Sequence, residues 1–481
     1  MATIVSIDGA DVHEVLFQLA EAAYRSQKES MQALAFHWTL CLTFLFHFGA
    51  LIRRVEPKLQ PPRISTTNIG PQLNYCHSNQ PKAPPVLLGY LGGSIAFGFV
   101  AAVYCAIVQP TKAAQMCLSY WAYSLTVTSI LSSAAQGRTF NGIPSWCLVI
   151  MVSGITYPVV VWSVWLDGWF NPRSAQAIFG IGATDFGGSG ALHVVAGTIV
   201  FVAALCGTPT GTNMSSGHAT RPSMDAAGTV WLVLGLCGVL LNRVWISVPP
   251  TYQFPATINC VVNITLAGAG GSVVGLAQDF FISGVTQDTH NCIVSAVVAV
   301  SSVGPLAEPY AACIVGVTAA LIYCLTTWST WIQDVDRPLG YCITVHLIMG
   351  AWGVLASGVV GTRQGHWQVY SQADTCGLAY GCSDRGTLFA SNLLYLVCLI
   401  VWTALITYGA ISIIRSLDPT THYDVLGTID FAIGDYEASD IRFYSADHSK
   451  RESSSEWASM SPLLDELIQY QKSTSPRTSW V

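Results

Sequence analysis

Lysine and arginine leave long gaps along this chain. None falls between Arg243 and Arg337, between Arg138 and Arg173, or between Arg173 and Arg221. A soluble fold needs such residues over its whole surface. A chain embedded in a bilayer cannot hold them at mid-depth, where each costs about 2.5–3.5 kcal/mol on insertion scales. Composition agrees: of 481 residues, 10% are charged and 52% hydrophobic, whereas an ordinary soluble protein carries roughly 25% charged residues. These figures exclude a disordered chain, a nucleic-acid binder and most soluble enzymes. They predict a polytopic all-α membrane protein, for which a net charge of -6 is uninformative.

A spanning helix needs roughly 20 mostly apolar residues. Eleven candidates satisfy this, at about 32–52, 86–108, 114–134, 145–166, 190–206, 227–247, 256–276, 290–305, 309–328, 342–361 and 388–414. The eighth is short and breaks at Gly304-Pro305. The chain thus divides into an N-terminal segment (1–31), a transmembrane domain (32–415) and a polar, Ser/Thr-rich tail (416–481). The first 30 residues carry Asp8, Asp11, Glu14, Glu21, Arg25, Lys28 and Glu29, and lack the apolar stretch of a signal peptide.

Basic loops set orientation. With the N-terminus outside, the inner loops hold Arg53, Arg54, Lys58, Arg63, Lys82, Arg138, Arg221 and Arg337. The tail adds Arg415, Arg442, Lys450, Arg451, Lys472 and Arg477. The outer side keeps Arg25, Lys28, Lys112, Arg173, Arg243, Arg363 and Arg385, a bias of two to one. This predicts an outer N-terminus and a cytosolic C-terminus. It places Cys376 and Cys382, which flank GLAYG in a polar loop, on the outer side. A disulfide and two free thiols are equally open there, the bond requiring an oxidising compartment. Most of the other cysteines sit inside apolar runs, with no CxxC and no zinc spacing.

Two segments echo each other. TDFGGSGALHVVAG contains Asp185, His193 and Gly197; VDRPLGYCITVHLIMG contains Asp336, His346 and Gly350. Each has an acid eight or ten residues before a histidine, then H-x-x-x-G, and they open segments five and ten. Five segments per half invert the second half relative to the first, a common plan of transporters with the site between the halves. Histidine and glycine four apart share a helix face. Glycine permits close helix approach, so each imidazole falls at a tight seam. Ionisable groups within spans are costly and usually functional. His193 and His346 are therefore the leading functional residues; the bland alternative is two core histidines satisfied by backbone or by each other. His37 and His47 lack this pairing and read as structural.

At this point the residues resemble the ammonium transporter (Amt/Mep/Rh) family, the Amt/Mep branch more closely. FHFGALIRR (46–54), GGSIAFG (92–98), YPVVVWSVWLDGW (157–169), EPYAA (308–312), and VDRPLG followed by VHLIMGAWGVLASG (345–358) resemble family helices. DFGGSGALH (185–193) resembles the signature DFAGGTVVH and is the most specific piece. The resemblance implies a homotrimer of eleven-helix subunits built as a 5+5 inverted repeat plus one final helix, each with its own pore. His193 and His346 are then the twin histidines of that pore. Trp165 is a wall of the recruitment site, and Asp185 is the acid that holds local structure there and favours a cation. The implied cargo is ammonium or ammonia, with methylammonium as an analogue, and the implied location is the plasma membrane. Neither cofactor nor metal is implied.

The pore entrance departs from the family. Alignment on AAQGRTF (134–140) puts Ala122 at the first phenylalanine gate, with Trp121 and Tyr123 as flanking substitutes. In CGVLLNRVW (237–245), Val239 or Leu241 replaces the second gate. Arg243 falls near the cation site. At ~8 Å and an effective dielectric of ~20 it would repel ammonium by about 2 kcal/mol, unless it snorkels outward or pairs with Asp167. GTIDFAIGDYEA (427–438) only faintly resembles the family's tail motif. Three functions follow: an ammonium or ammonia conductor with an altered gate, a transport-impaired sensor signalling through its tail, or a membrane enzyme using the histidines as metal ligands. The last lacks further ligands, and the absence of a Walker loop disfavours ATP-driven pumping.

Overall fold

A computed structural model describes residues 31–43, 113–134, 148–206, 226–283, 287–329, 337–383 and 386–417, with isolated positions 18, 21, 27 and 29. The segment expected at 86–108, the FHFGALIRR stretch, most of AAQGRTF, Asp336, most of the basic loops and the tail beyond 417 lie outside the described residues. The described part is helical, and no β-strand occurs in it. Its helices are α1 (31–43), α2 (Ala113–Ala134), α3 (Leu148–Trp165), α4 (Ser189–Leu205), α5 (Ala226–Ser247), α6 (Gln253–Gln278), α7 (Gln287–Val303), α8 (Pro309–Thr327), α9 (Gly340–Val360), α10 (Arg363–Tyr370) and α11 (Thr387–Leu417).

Seven of these are long and apolar enough to cross a membrane: α3, α5, α6, α7, α8, α9 and α11. α4 is shorter, at 17 residues. The eighth and ninth expected segments are distinct helices, α7 and α8. Gly304–Leu306 forms a single 3-10 turn between them, and α8 starts on Pro309, whose missing N–H costs nothing at a first helical position. Pro305 and the positive φ of Gly304 (46°) stop α7 before that turn.

Burial sorts the helices. α7 is almost wholly enclosed, packed against α6, α8, α9 and α4. α11 turns most of its surface outward and lies along α4 and α9. Its exposed stripe, Leu393, Val397, Val401 and Leu405, recurs every four residues, the period of one helix face. In a bilayer such a stripe meets acyl chains, not water. Most of the described interior is one large cluster that contains Tyr157, Phe186, Leu192, Ile199, Leu240, Leu306, Met349 and Tyr395, with two small clusters beside it.

α4 and α9 share a local irregularity. The first turn of α4, Ser189–Val194, is π-helical and passes into an α-helix over Val195–Leu205. Within α9, Ile343–Ile348 is π-helical and passes into Met349–Val360. Wide turns of this kind are rare and are found frequently at functional sites. Each carries one of the two histidines singled out above.

Candidate functional site

The two histidines meet. His193 Nδ1 lies 3.0 Å from His346 Nδ1, with ring planes 7° from parallel. Neutral imidazole has one N–H and one acceptor nitrogen, so this contact requires one ring to donate and the other to accept. His193 is fully buried, and its Nε2 has no hydrogen-bond partner. His346 keeps 8% of its surface exposed. The pair thus carries a shared proton in the middle and a buried, unused nitrogen on the His193 side.

Two glycines bring the rings together. A Cβ on Gly197 would fall 2.4 Å from the backbone N of Leu347, next to His346. A Cβ on Gly350 would fall 2.5 Å from the carbonyl oxygen of Ser189 and 3.0 Å from the Val194 side chain, next to His193. α4 and α9 each therefore open a notch, four residues past their own histidine, for the π-turn of the other helix.

Asp185 fixes the start of α4. Its Oδ2 accepts from the backbone N–H of Ala191 at 2.7 Å and from the Tyr395 hydroxyl at 3.0 Å; its Oδ1 accepts from the Ser302 hydroxyl at 2.8 Å. These donors come from α4, α11 and α7. The carboxylate is 1% exposed, so it is a buried anion held by three directed donors, the arrangement burial demands of such a group. The preceding residue extends the framework. Thr184 N donates to Asn392 Oδ1 at 2.8 Å, and Ser357 Oγ donates to the Thr184 carbonyl at 2.8 Å.

Beside this framework lies an aromatic chamber. Trp165 Nε1 donates to the Asp185 carbonyl at 2.8 Å. The Tyr120 ring stacks near Trp165 (6.1 Å between centroids, 19° between planes), and the Tyr123 ring meets it edge-on at 5.7 Å. Tyr123 also donates its hydroxyl to Asn242 Oδ1 at 2.6 Å. Arg243 closes the chamber. Its Cζ sits 4.5 Å from the Trp165 ring centroid, its Nε donates to the Phe186 carbonyl at 3.1 Å, and its Nη1 donates to the Tyr120 hydroxyl at 3.2 Å. Arg243 is 3% exposed. It neither snorkels outward nor pairs with Asp167. α5 turns it inward, where the Phe186 carbonyl, the Tyr120 hydroxyl and the Trp165 ring take its charge.

The family model described as Ammonium Transporter Family matches residues 89–417. The chain belongs to the ammonium transporter family. Among similar members, ammonium transporter 1 member 3 of Solanum lycopersicum is 26% identical over 341 residues, covering 65% of this chain and 73% of the relative. Ammonium transporter Amt2 of Archaeoglobus fulgidus is 27% identical over 272 residues, covering 54% of this chain and 56% of the relative. The chain thus spans less than two thirds of the second relative's length. Of solved structures, Mep2 of Candida albicans superposes with a TM-score of 0.62 at 15% identity, covering 84% of this chain and 90% of that one. A sensor Amt protein superposes with a TM-score of 0.61 at 17% identity, covering 82% and 95%. These likenesses establish the all-α ammonium transporter fold. The family's named relatives are transporters, not enzymes.

Within this family frame, the residues expected at the entrance are dispersed. Ala122 is buried in a small separate cluster with Phe36 and Leu40, away from Trp165. Trp121 is half-buried against the main core. Tyr123 touches Trp165, and its unanticipated partner there is Tyr120, three residues earlier on the same face of α2. Val239 is buried, and its carbonyl lies 3.4 Å from the Tyr123 hydroxyl; Leu241 is half-buried. Leu240, like Arg243, lies beside the signature loop, in reach of Gly187. Cys376 and Cys382 are joined by a disulfide, with 5.7 Å between their Cα atoms. Among the described residues, no group of three or more His, Cys, Asp or Glu side chains could hold a metal ion.

A second arginine stands outside the spans. Arg173, in the loop after α3, donates Nη2 to the Val369 carbonyl and lies 5.9 Å from the Tyr370 ring centroid. Burial draws its pKa below the usual guanidinium value, and neighbouring Tyr370 pulls the other way.

Proposed function

We propose that this member of the ammonium transporter family moves ammonium across a membrane by separating it into ammonia and a proton at the His193–His346 pair. The observation that carries this reading is the 3.0 Å contact between the two Nδ1 atoms, beside a buried and unpartnered Nε2 on His193. A bare ammonium ion in an apolar passage is prohibitively costly. Ammonia is not, and two imidazoles holding one proton between them supply a donor and an acceptor for the proton left behind. Potassium has no proton to surrender, so the same pair discriminates against it. Trp165 is the ring at which a cation is first met, since an aromatic face attracts a cation by about 0.5–2 kcal/mol depending on desolvation. Asp185 works through structure, anchoring the π-turn that carries His193.

In this reading residues 32–415 form the transport domain, working as a homotrimer in the plasma membrane, with residues 1–31 outside and the 416–481 tail in the cytosol. Methylammonium is the practical tracer. Expression in a transporter-deficient host should restore growth on low ammonium and drive methylammonium uptake. His193→Ala and His346→Ala should each cut uptake at least about tenfold while the purified protein keeps its assembly size. Uptake by the parent that survives both substitutions unchanged would overturn the reading.

A further inference from the structure

We infer that Arg243 is a resident cation that occupies the substrate's place on Trp165, so that incoming ammonium binds only when this guanidinium has moved off the ring. The inference rests on the reading of Trp165 as the recruitment ring and adds the regulation of that site. Arg243 is set as a ligand would be: Cζ 4.5 Å from the ring centroid, one N–H on the Phe186 carbonyl and another on the Tyr120 hydroxyl. A carbonyl, a phenol oxygen and an indole face are also the groups a small ammonium ion would use. Among the described residues no carboxylate pairs with Arg243, and the groups that hold its charge are the neutral ones of this chamber. The tether is connected to the seam. Trp165 holds the Asp185 carbonyl, Arg243 holds the Phe186 carbonyl, and the Asp185 carboxylate holds Ala191 in the π-turn of His193.

When binding requires a minor conformer, the apparent dissociation constant is the intrinsic one divided by the fraction of molecules that are competent. An arginine resting on the ring therefore raises the ammonium concentration needed to fill the site, in proportion to the rarity of the open conformer. Lysine can still approach the ring but cannot reproduce a planar guanidinium's two directed tethers, so it holds the place less firmly.

The test is a calorimetric titration of the purified full chain with methylammonium chloride, with sodium chloride as the control for ionic strength, alongside uptake kinetics. Arg243→Gln should bind methylammonium about tenfold more tightly than the parent, with Arg243→Lys in between. Adding Trp165→Leu to Arg243→Gln should return binding to the weak parental level. Arg243→Met guards against a fold defect peculiar to one substitution, with elution volume and melting temperature as the folding checks. Folded variants that bind no more tightly than a parent that transports would overturn the inference and leave the transport reading standing. Tighter binding in variants, with no uptake by either variants or parent, would support the inference and sink the transport reading.

Discussion

The histidine seam and the Arg243 chamber lie at the two ends of one short chain of contacts, yet they are built by opposite rules. The seam is reciprocal. α4 and α9 each supply a π-turn, a histidine and, four residues on, a glycine that admits the other helix. The chamber has no such symmetry: α2 supplies Tyr120 and Tyr123, α3 supplies Trp165, and α5 supplies a buried positive charge. The seam leaves little freedom, because at each notch the nearest atom belongs to the backbone, of Leu347 in one and of Ser189 in the other. The chamber is closed by one long side chain held by two hydrogen bonds to neutral acceptors and a ring. Rigid proton handling and adjustable admission are thereby assigned to different parts of the molecule.

That contrast breaks if the seam proves tolerant. Gly197→Val drives new atoms into the Leu347 backbone, and overpacking of this kind costs about 3 kcal/mol at the upper end of its range. Uptake should be lost and the melting temperature in detergent should fall by several degrees. Near-parental uptake would mean that the notch is not needed to bring the rings together.

A smaller effect is expected at the joint between the two regions. Asp185→Asn keeps the volume but turns one acceptor atom into a donor facing at least one of Ala191 N–H, Tyr395 and Ser302. Losing a charged acceptor there should cost about 1.5–3 kcal/mol. Thermal unfolding would register it, and uptake should fall together with stability. Stability that drops without any change in uptake would separate the carboxylate from the histidine geometry.

The smallest change is expected in the chamber itself. Tyr120→Phe keeps the stacked ring and removes one of Arg243's tethers, a loss near the lower end of the roughly 1.5–3 kcal/mol of a bond to a charged group, because the guanidinium keeps its other tether and the ring. Melting should move less than in Asp185→Asn, while the methylammonium concentration for half-maximal uptake should shift downward. A larger stability loss than at Asp185 would show the chamber to be the stiffer region and invert the comparison.

Much of this molecule is legible from residue order. The cation-free stretches reveal the spans, because a bilayer penalises charge regardless of partners. His193 and His346 stand out because an imidazole is costly inside an apolar run, and a glycine at i+4 marks the face on which a neighbour comes close. The π-turns are not legible, since a helix of wider pitch leaves no distinct mark in a run where nearly every residue is apolar. Tyr120 escapes a linear alignment, which points to position 122; only the helix face shows that 120 and 123 look the same way. Arg243 can be located in the sequence but not aimed: the same residues permit a guanidinium that reaches outward or one that folds onto Trp165. The donors to Asp185 include residues more than a hundred positions away, at Ser302 and Tyr395, beyond any local pattern.

The matched notches of Gly197 and Gly350 carry a lesson for protein engineers. Since α4 and α9 each receive the other, neither can be exchanged alone. A chimera that keeps α4 of this chain and takes α9 from a distant cousin should assemble only when the donor brings its own small residue at the equivalent place. Inheritance at this joint is a matter of pairs.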